Sequence, residues 1–127
     1  MFEVTVEETF SAGHALRGYK GKCENPHGHN YRVRVILRGQ ELDSIGLLYD
    51  FKDLKQIIHC AVDRLDHQFL NDLPPFDVLN PSAENLARHF YEESQRLLAE
   101  RHPGNGVRVS AVTVWETDTT TATYTKD

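Results

Sequence analysis

The 127-residue sequence is poor in several features that mark specialised classes of protein. It has two cysteines, Cys23 and Cys60, so we expect no disulfide framework and a reducing, cytoplasmic setting. No apolar run approaches the length of a membrane span, and the N-terminus lacks a signal-peptide pattern. The net charge of −5 argues against general nucleic-acid binding. The sequence thus predicts a cytoplasmic protein with no membrane or nucleic-acid partner.

The remaining composition is that of an ordinary folded protein, with 39% hydrophobic and 26% charged residues. Its length corresponds to a single domain, residues 1–127, that can bury a core without disulfides or other staples. Seven histidines are more than packing requires in a chain of this size. They direct attention to metal binding.

Hydrophobic periodicity predicts strands at both ends of the chain and two helices between them. The predicted strands cover 2–10 with a continuation to His14, then 27–38, 107–116 and 119–124. The first helix is expected to follow an Asp50 cap and to end near 65–67. The second is expected to be capped by Asn80 or Ser82 and to stop before 102–106. The order ββααββ predicts an α+β fold, a four-stranded antiparallel sheet with both helices on one face.

Two histidines at chelating spacing begin the second predicted strand. His27 and His29 share one face of a strand, and their parity is that of the apolar residues that follow. Pairing of the first two strands would bring His14 close to them, although a bulge at Gly13 would change the parity of His14. Three imidazoles suit zinc and leave a fourth position open for catalysis. Alternatively, the pair His27 and His29 satisfies itself by hydrogen bonds, or Cys23 closes a structural Cys-His₃ site.

Two further constellations are chemically suggestive. His67 after Asp66 is either a residue at a helix C-terminus or, if near Cys23, a base oriented by the carboxylate. Glu116 has the parity of an apolar face near a strand end. It is either exposed there or pairs bidentately with a ligand that offers two parallel N–H donors.

The loop over residues 15–26 is locally basic. Arg17, Lys20 and Lys22 lie there beside two glycines, with no acidic residue before Glu24. Taken alone, this composition is typical of a solvated surface loop. It also fits a local anion site, because glycines let the backbone close on a phosphate while the cations supply charge.

The chain resembles the 6-pyruvoyl-tetrahydropterin synthase family over nearly its whole length. The motifs that carry the resemblance are Phe10-Ser11-Ala12-Gly13-His14, Cys23-x-x-x-His27-Gly28-His29-Asn30-Tyr31, Gly46-x-x-x-Asp50-Phe51, Leu65-Asp66-His67, Pro81-Ser82-x-Glu84-Asn85 and Glu116-Thr117. Within the family it is most similar to the bacterial 6-carboxy-tetrahydropterin synthase branch of queuosine biosynthesis. The mammalian pyruvoyl enzymes have a longer spacer between the cysteine and His-Gly-His.

The resemblance implies a tunnelling fold (T-fold), whose subunits join edge to edge into an oligomeric barrel with active sites between subunits. It implies zinc as cofactor and 7,8-dihydroneopterin triphosphate as substrate, with 6-carboxy-5,6,7,8-tetrahydropterin, acetaldehyde and triphosphate as products. The residues that match the family's functional positions are His14, His27 and His29 for zinc, Cys23 as catalytic thiol, Asp66 and His67 as its relay, and Glu116 as the pterin anchor.

The basic loop and the open sheet edges add two expectations of our own. Arg17, Lys20 and Lys22 are expected to meet the triphosphate, and the exposed edges of a four-stranded sheet predict a homo-oligomer. Three other functions stay open: the pyruvoyl reaction on the same fold, a non-catalytic Cys-His₃ zinc domain, and a pterin-binding protein without turnover.

Overall fold

The computed structural model describes residues 1–127 and confirms the predicted order of elements. The strands are β1 (Phe2–His14), β2 (His27–Gly39), β3 (Arg108–Thr117) and β4 (Thr120–Tyr124), and the helices are α1 (Phe51–Asp63) and α2 (Ala83–Arg101). Two short 3₁₀ turns, Lys22–Glu24 and Leu70–Asp72, lie in the connections. No helix is both long and apolar enough to cross a membrane.

The four strands form one antiparallel sheet in the order β1-β2-β3-β4. β1 and β2 pair without interruption from Phe2 opposite Gly39 to His14 opposite His27. Because this register contains no bulge at Gly13, His14 keeps the parity of the apolar residues before it and faces the core. The register shifts between Ile36 and Leu37 in the β2–β3 pair and between Trp115 and Thr117 in the β3–β4 pair.

The core lies between the sheet and the two helices. Alternate residues of β2, among them Tyr31, Val33 and Val35, are fully buried and belong to the same apolar cluster as Leu54 and Ile58 of α1. Burial of each large apolar side chain contributes about 1.5–3 kcal/mol to folding. The opposite face of the sheet is partly exposed along β2, where three arginines alternate with the buried residues and confirm the predicted alternation.

Both helices begin at side-chain caps. The Asp50 carboxylate accepts a hydrogen bond from the Lys52 amide at 2.8 Å, as expected. Of the two candidate caps for α2, Ser82 performs this role, with its hydroxyl oxygen accepting from the Asn85 amide at 3.2 Å. The Asn80 side chain is used elsewhere, as described below.

The segment after α1 returns to the outer edge of β1. The helix ends at Asp63, slightly earlier than predicted, and turns occupy the next residues. The His67 amide then donates to the Ser11 carbonyl at 2.6 Å, and the Gly13 amide donates to the Gln68 carbonyl at 3.0 Å. These bonds place Asp66 and His67 beside the end of β1 that carries His14.

Candidate metal centre and active-site cleft

Three histidines converge where β1 ends and β2 begins. His14 and His27 are directly opposite in the register, and His29 follows two residues later on the same face. Their ring centroids are 4.5–4.9 Å apart, and one nitrogen of each lies within 4.8 Å of the others. The group of side chains that could hold one ion consists of these three imidazoles alone, without a thiol or carboxylate.

In two of these rings the Nδ1 atom, which faces away from the cluster, already makes a hydrogen bond. His14 Nδ1 donates to the Pro81 carbonyl and His27 Nδ1 donates to the Asn25 carbonyl, both at 2.7 Å. Because a carbonyl can only accept, the Nδ1 of each ring carries the proton, and each neutral ring turns an Nε2 lone pair inward. Those two Nε2 atoms are 2.9 Å apart. A cation between them would satisfy both lone pairs.

The third ring has a nitrogen without a hydrogen-bond partner. His29 Nε2 is buried and makes no hydrogen bond, although Glu116 Oε1 lies 3.4 Å away. Three imidazoles with hydrogen bonds behind two of them are typical of a zinc site with an open position. The residues present therefore fit a divalent metal ion.

Burial favours the neutral, metal-binding form of two of these rings. Desolvation lowers the pKa of His14, with the Pro81 carbonyl and Glu116 opposing the shift. Desolvation likewise lowers the pKa of His29, and Glu116 again opposes it. Both side chains thus remain unprotonated at neutral pH, as metal ligation requires.

Cys23 lies in the 3₁₀ turn Lys22–Glu24 and is half-buried. Its carbonyl accepts a hydrogen bond from the Leu16 amide at 2.9 Å, which closes the base of the loop. The thiol is outside the group of three histidines. This position differs from that of a fourth protein ligand in a closed Cys-His₃ site.

Asp66 and His67 form a contact pair at the edge of β1. His67 Nδ1 lies 3.0 Å from Asp66 Oδ1, and the ring is 80% exposed. The same carboxylate oxygen accepts from the Ser11 amide at 3.0 Å, and this bond is the main cause that lowers the pKa of Asp66. The backbone of His67 has φ 61°, an unusual value for a residue with a side chain. The hydrogen bond from its backbone amide to the Ser11 carbonyl holds this conformation in place.

A cleft of about 500 Å³ is lined by the end of β1, the start of β2 and the segment after α1, with His29 and His67 among the lining residues. A single chain therefore presents one ring of the histidine cluster and the exposed His67 to the same space. The other two histidines of the cluster and Asp66 do not line it. Cys23 is not among the residues that line it.

The cationic loop divides into two parts. The Arg17 guanidinium donates to three backbone carbonyls, those of Phe76 at 2.7 Å, Leu79 at 3.2 Å and Asn71 at 3.4 Å. Most of its donors are therefore used within the chain. Lys20 and Lys22 are exposed.

A match to a protein-family model agrees with this geometry. The model described as 6-pyruvoyl tetrahydropterin synthase matches residues 3–127. The chain belongs to this family.

Named relatives in the synthase family fall on both sides of the carboxy–pyruvoyl division. A 6-carboxy-5,6,7,8-tetrahydropterin synthase of Bacillus subtilis is 34% identical over 102 residues, covering 76% of this chain and 68% of the relative. One of Haemophilus influenzae is 29% identical over 144 residues, covering 98% and 99%. The solved 6-pyruvoyl tetrahydropterin synthase of Caenorhabditis elegans has a TM-score of 0.83 and 32% identity, and covers 100% of this chain and 98% of that one.

Several residues around the histidine cluster and the adjoining loop were not predicted from the sequence. Pro81 and Asn25 act through their carbonyls, which no sequence pattern reveals. The Tyr31 hydroxyl lies 3.1 Å from His14 Nδ1, and its parity with His29 could have identified it. Asn71 and Asn80 bind the backbone beyond His14, and only the folded chain brings them there.

Proposed function

We propose that this protein converts 7,8-dihydroneopterin triphosphate and one water molecule to 6-carboxy-5,6,7,8-tetrahydropterin, acetaldehyde and triphosphate in a zinc-dependent reaction. The convergence of three histidine nitrogens, two of them with lone pairs only 2.9 Å apart, is the observation that carries the proposal. Membership of the pterin synthase family supplies the substrate class. The spacer of three residues between Cys23 and His27 favours the carboxy reaction over the pyruvoyl reaction.

The proposed zinc ligands are His14, His27 and His29. When bound, zinc would act as a Lewis acid on the hydroxyl oxygens of the substrate side chain. The chain contributes the orientation of the rings, because the Pro81 and Asn25 carbonyls hold two of them with Nε2 turned inward.

Glu116 is proposed to anchor the pterin ring. A pterin presents an amino group and a ring N–H side by side, which match the two oxygens of one carboxylate. Glu116 is 24% exposed, and the His29 ring lies 3.4 Å away without a hydrogen bond, so both carboxylate oxygens have capacity to accept. Its position beside His29 would bring the substrate side chain close to the histidine cluster.

Cys23, His67 and Asp66 are proposed to move the protons. The Cys23 thiolate would act as the base. His67 would exchange protons through Nε2, because the Asp66 carboxylate holds Nδ1 at 3.0 Å. The 80% exposure of His67 supports an active site completed by a second subunit.

We further propose a homo-oligomer with active sites at subunit interfaces, acting in the cytoplasm in queuosine biosynthesis. β1 and β4 are the outer strands of the sheet and leave backbone hydrogen-bonding groups unpaired along their edges. Edge-to-edge barrel formation would pair these groups. Light scattering of the purified protein should give a mass that is a multiple of 14.5 kDa, and a monomer would contradict the interfacial site.

Product analysis tests the proposed reaction. The zinc-loaded protein is incubated with 7,8-dihydroneopterin triphosphate, and acetaldehyde, triphosphate and the pterin product are identified. Acetaldehyde in equal amount to the carboxy product is expected. Release of triphosphate without acetaldehyde would assign the pyruvoyl reaction, which the similarity to the Caenorhabditis elegans structure supports as the second candidate. Tight pterin binding without either product would refute both.

A further inference from the structure

Asn71 and Asn80 bind the backbone on either side of Leu16 in the same way. Asn71 Oδ1 accepts from the Ala15 amide and its Nδ2 donates to the Ala15 carbonyl, both at 2.9 Å. Asn80 makes the same two bonds to Arg17, also at 2.9 Å. Each side-chain amide therefore satisfies both backbone polar groups of one residue, as a neighbouring strand would.

Leu16 lies between Ala15 and Arg17 and is hydrogen-bonded to the backbone of Cys23. Its amide donates to the Cys23 carbonyl at 2.9 Å. Because Ala15 and Arg17 are each held by two hydrogen bonds, Leu16 cannot shift without breaking bonds to Asn71 or Asn80. The backbone position of Cys23 consequently depends on these two asparagines.

The loop that carries the asparagines is itself held by Arg17. The guanidinium donates to the carbonyls of residues 71, 76 and 79. Each of the two segments therefore holds the other by hydrogen bonds. Asn80 precedes Pro81, whose carbonyl accepts from His14 Nδ1. The same short segment therefore holds the backbone next to Cys23 and the outer nitrogen of one cluster histidine.

We propose that Asn71 and Asn80 are positioning residues that set the place of the Cys23 thiol relative to the histidine cluster. This inference rests on the proposed function, in which Cys23 is the base. Proton transfer depends steeply on the distance between donor and acceptor, and a misplacement of about 1 Å can cost roughly 100-fold in rate. Neither asparagine contacts Glu116, Lys20 or Lys22, so substrate binding through those groups stays intact.

The test uses Asn71→Ala and Asn80→Ala in the full-length, zinc-loaded protein with Cys60→Ser. That background leaves Cys23 as the single cysteine of the chain. Four quantities are measured: kcat, KM, zinc content and the rate of thiol alkylation by iodoacetamide. We expect kcat to fall by about tenfold or more with KM unchanged. Zinc content should be retained, and the half-buried thiol should react several-fold faster because its loop is released.

Asn105→Ala is the matched control. It removes a comparable contact, the bond from the Val107 amide to Asn105 Oδ1 at 2.9 Å, in a loop that precedes β3. Asn71→Asp and Asn80→Asp form a second pair of similar size: they keep the acceptor for the backbone amide and replace the donor by a carboxylate oxygen, which repels the backbone carbonyl. The control should leave all four quantities unchanged, and the aspartate variants should change them in the same direction as alanine.

The outcomes separate this inference from the proposed reaction. Alkylation rates equal to the control in all four variants would overturn the positioning role, whether or not the enzyme turns over. A proportional loss of zinc content and kcat in both the alanine and the aspartate variants would also overturn the positioning role, since the asparagines would then be general supports of the fold. Faster alkylation in a protein that yields no product at all would retain the positioning of Cys23 and refute the proposed function.

Discussion

The Nε2 atoms of His14 and His27 lie 2.9 Å apart with lone pairs turned toward each other. In each ring the Nδ1 proton is donated to a backbone carbonyl, so no proton of a neutral ring bridges the gap. Protonation of His14 would supply one, but burial lowers its pKa. A metal ion bound by both nitrogens would satisfy both lone pairs together, in agreement with the proposed zinc site.

Replacement of Cys23 by alanine is predicted to abolish turnover while zinc remains bound. The thiol lies outside the three-histidine group, so its removal leaves the proposed ligand set complete. Loss of a general base costs about 100-fold or more in kcat. Zinc content by metal analysis and acetaldehyde release measure the two effects. Cys60→Ala, at an exposed position, is the control; loss of zinc and of folding from Cys23→Ala would instead indicate a structural Cys-His₃ site.

Tyr31→Phe is predicted to weaken zinc binding without unfolding the protein. The Tyr31 hydroxyl is fully buried and lies 3.1 Å from His14 Nδ1, so it helps to orient that ring. Loss of such a contact behind a metal ligand typically costs about tenfold in affinity. Competition with a chromogenic chelator measures the change. Tyr49→Phe removes another buried hydroxyl, one without a hydrogen-bond partner, and should leave the affinity unaltered.

Charge reversal at Lys20 and Lys22 is predicted to raise KM for the triphosphate substrate. Both side chains are exposed in the loop that we expect to meet the phosphates. A roughly tenfold increase corresponds to about 1.4 kcal/mol of lost binding. Steady-state kinetics with the Lys20→Glu, Lys22→Glu double variant measure it. An unchanged KM would remove these lysines from the substrate site.

Arg17→Met is predicted to act on stability. Its guanidinium donates to three carbonyls, and loss of hydrogen bonds from a charged donor costs about 2 kcal/mol. Urea denaturation should show the lower free energy of unfolding. If stability is unaltered while KM rises, Arg17 belongs with the two lysines as a phosphate ligand.

His89 is predicted to make the protein less stable as the pH falls below about 6.5, the ordinary pKa of a histidine side chain. Burial between Phe76 and Phe90 lowers its pKa, with Glu93 opposing and Arg64 reinforcing the shift. The unfolded chain therefore binds the proton first, and the free energy of unfolding decreases with decreasing pH. His89→Phe should flatten that decrease between pH 7 and pH 5, as measured by urea denaturation.

His59→Gln provides the comparison of opposite sign. The hydrogen bond that His59 donates to the Glu8 carboxylate raises the pKa of His59, so the contribution of His59 to stability is present at low pH and is lost as the pH rises. Removal of His59 should steepen the acid-side loss of stability. If His89→Phe and His59→Gln changed the pH dependence in the same direction, the assignment to His89 would be wrong.

Local periodicity was sufficient to predict the secondary structure. Alternation of apolar and polar residues predicted the first three strands and a threonine-rich segment predicted the fourth. The confirmed cap at Asp50 followed from its place before an amphipathic stripe. The end of α1 was predicted about two residues late, because Leu65 continues the apolar spacing although the chain has already left the helix. Apolar spacing reports burial, and a turn can bury a leucine as well as a helix does.

The sequence alone determined that His27 and His29 share a face and that the first two strands pair beside His14, because strand geometry has a fixed period of two. Only the tertiary structure decided that Gly13 forms no bulge, that Arg17 turns to three carbonyls, and that Asn71 and Asn80 hold the loop of Cys23. These contacts join residues 54 to 63 positions apart. No local period encodes such contacts, since they depend on where two loops meet after the sheet and helices have packed.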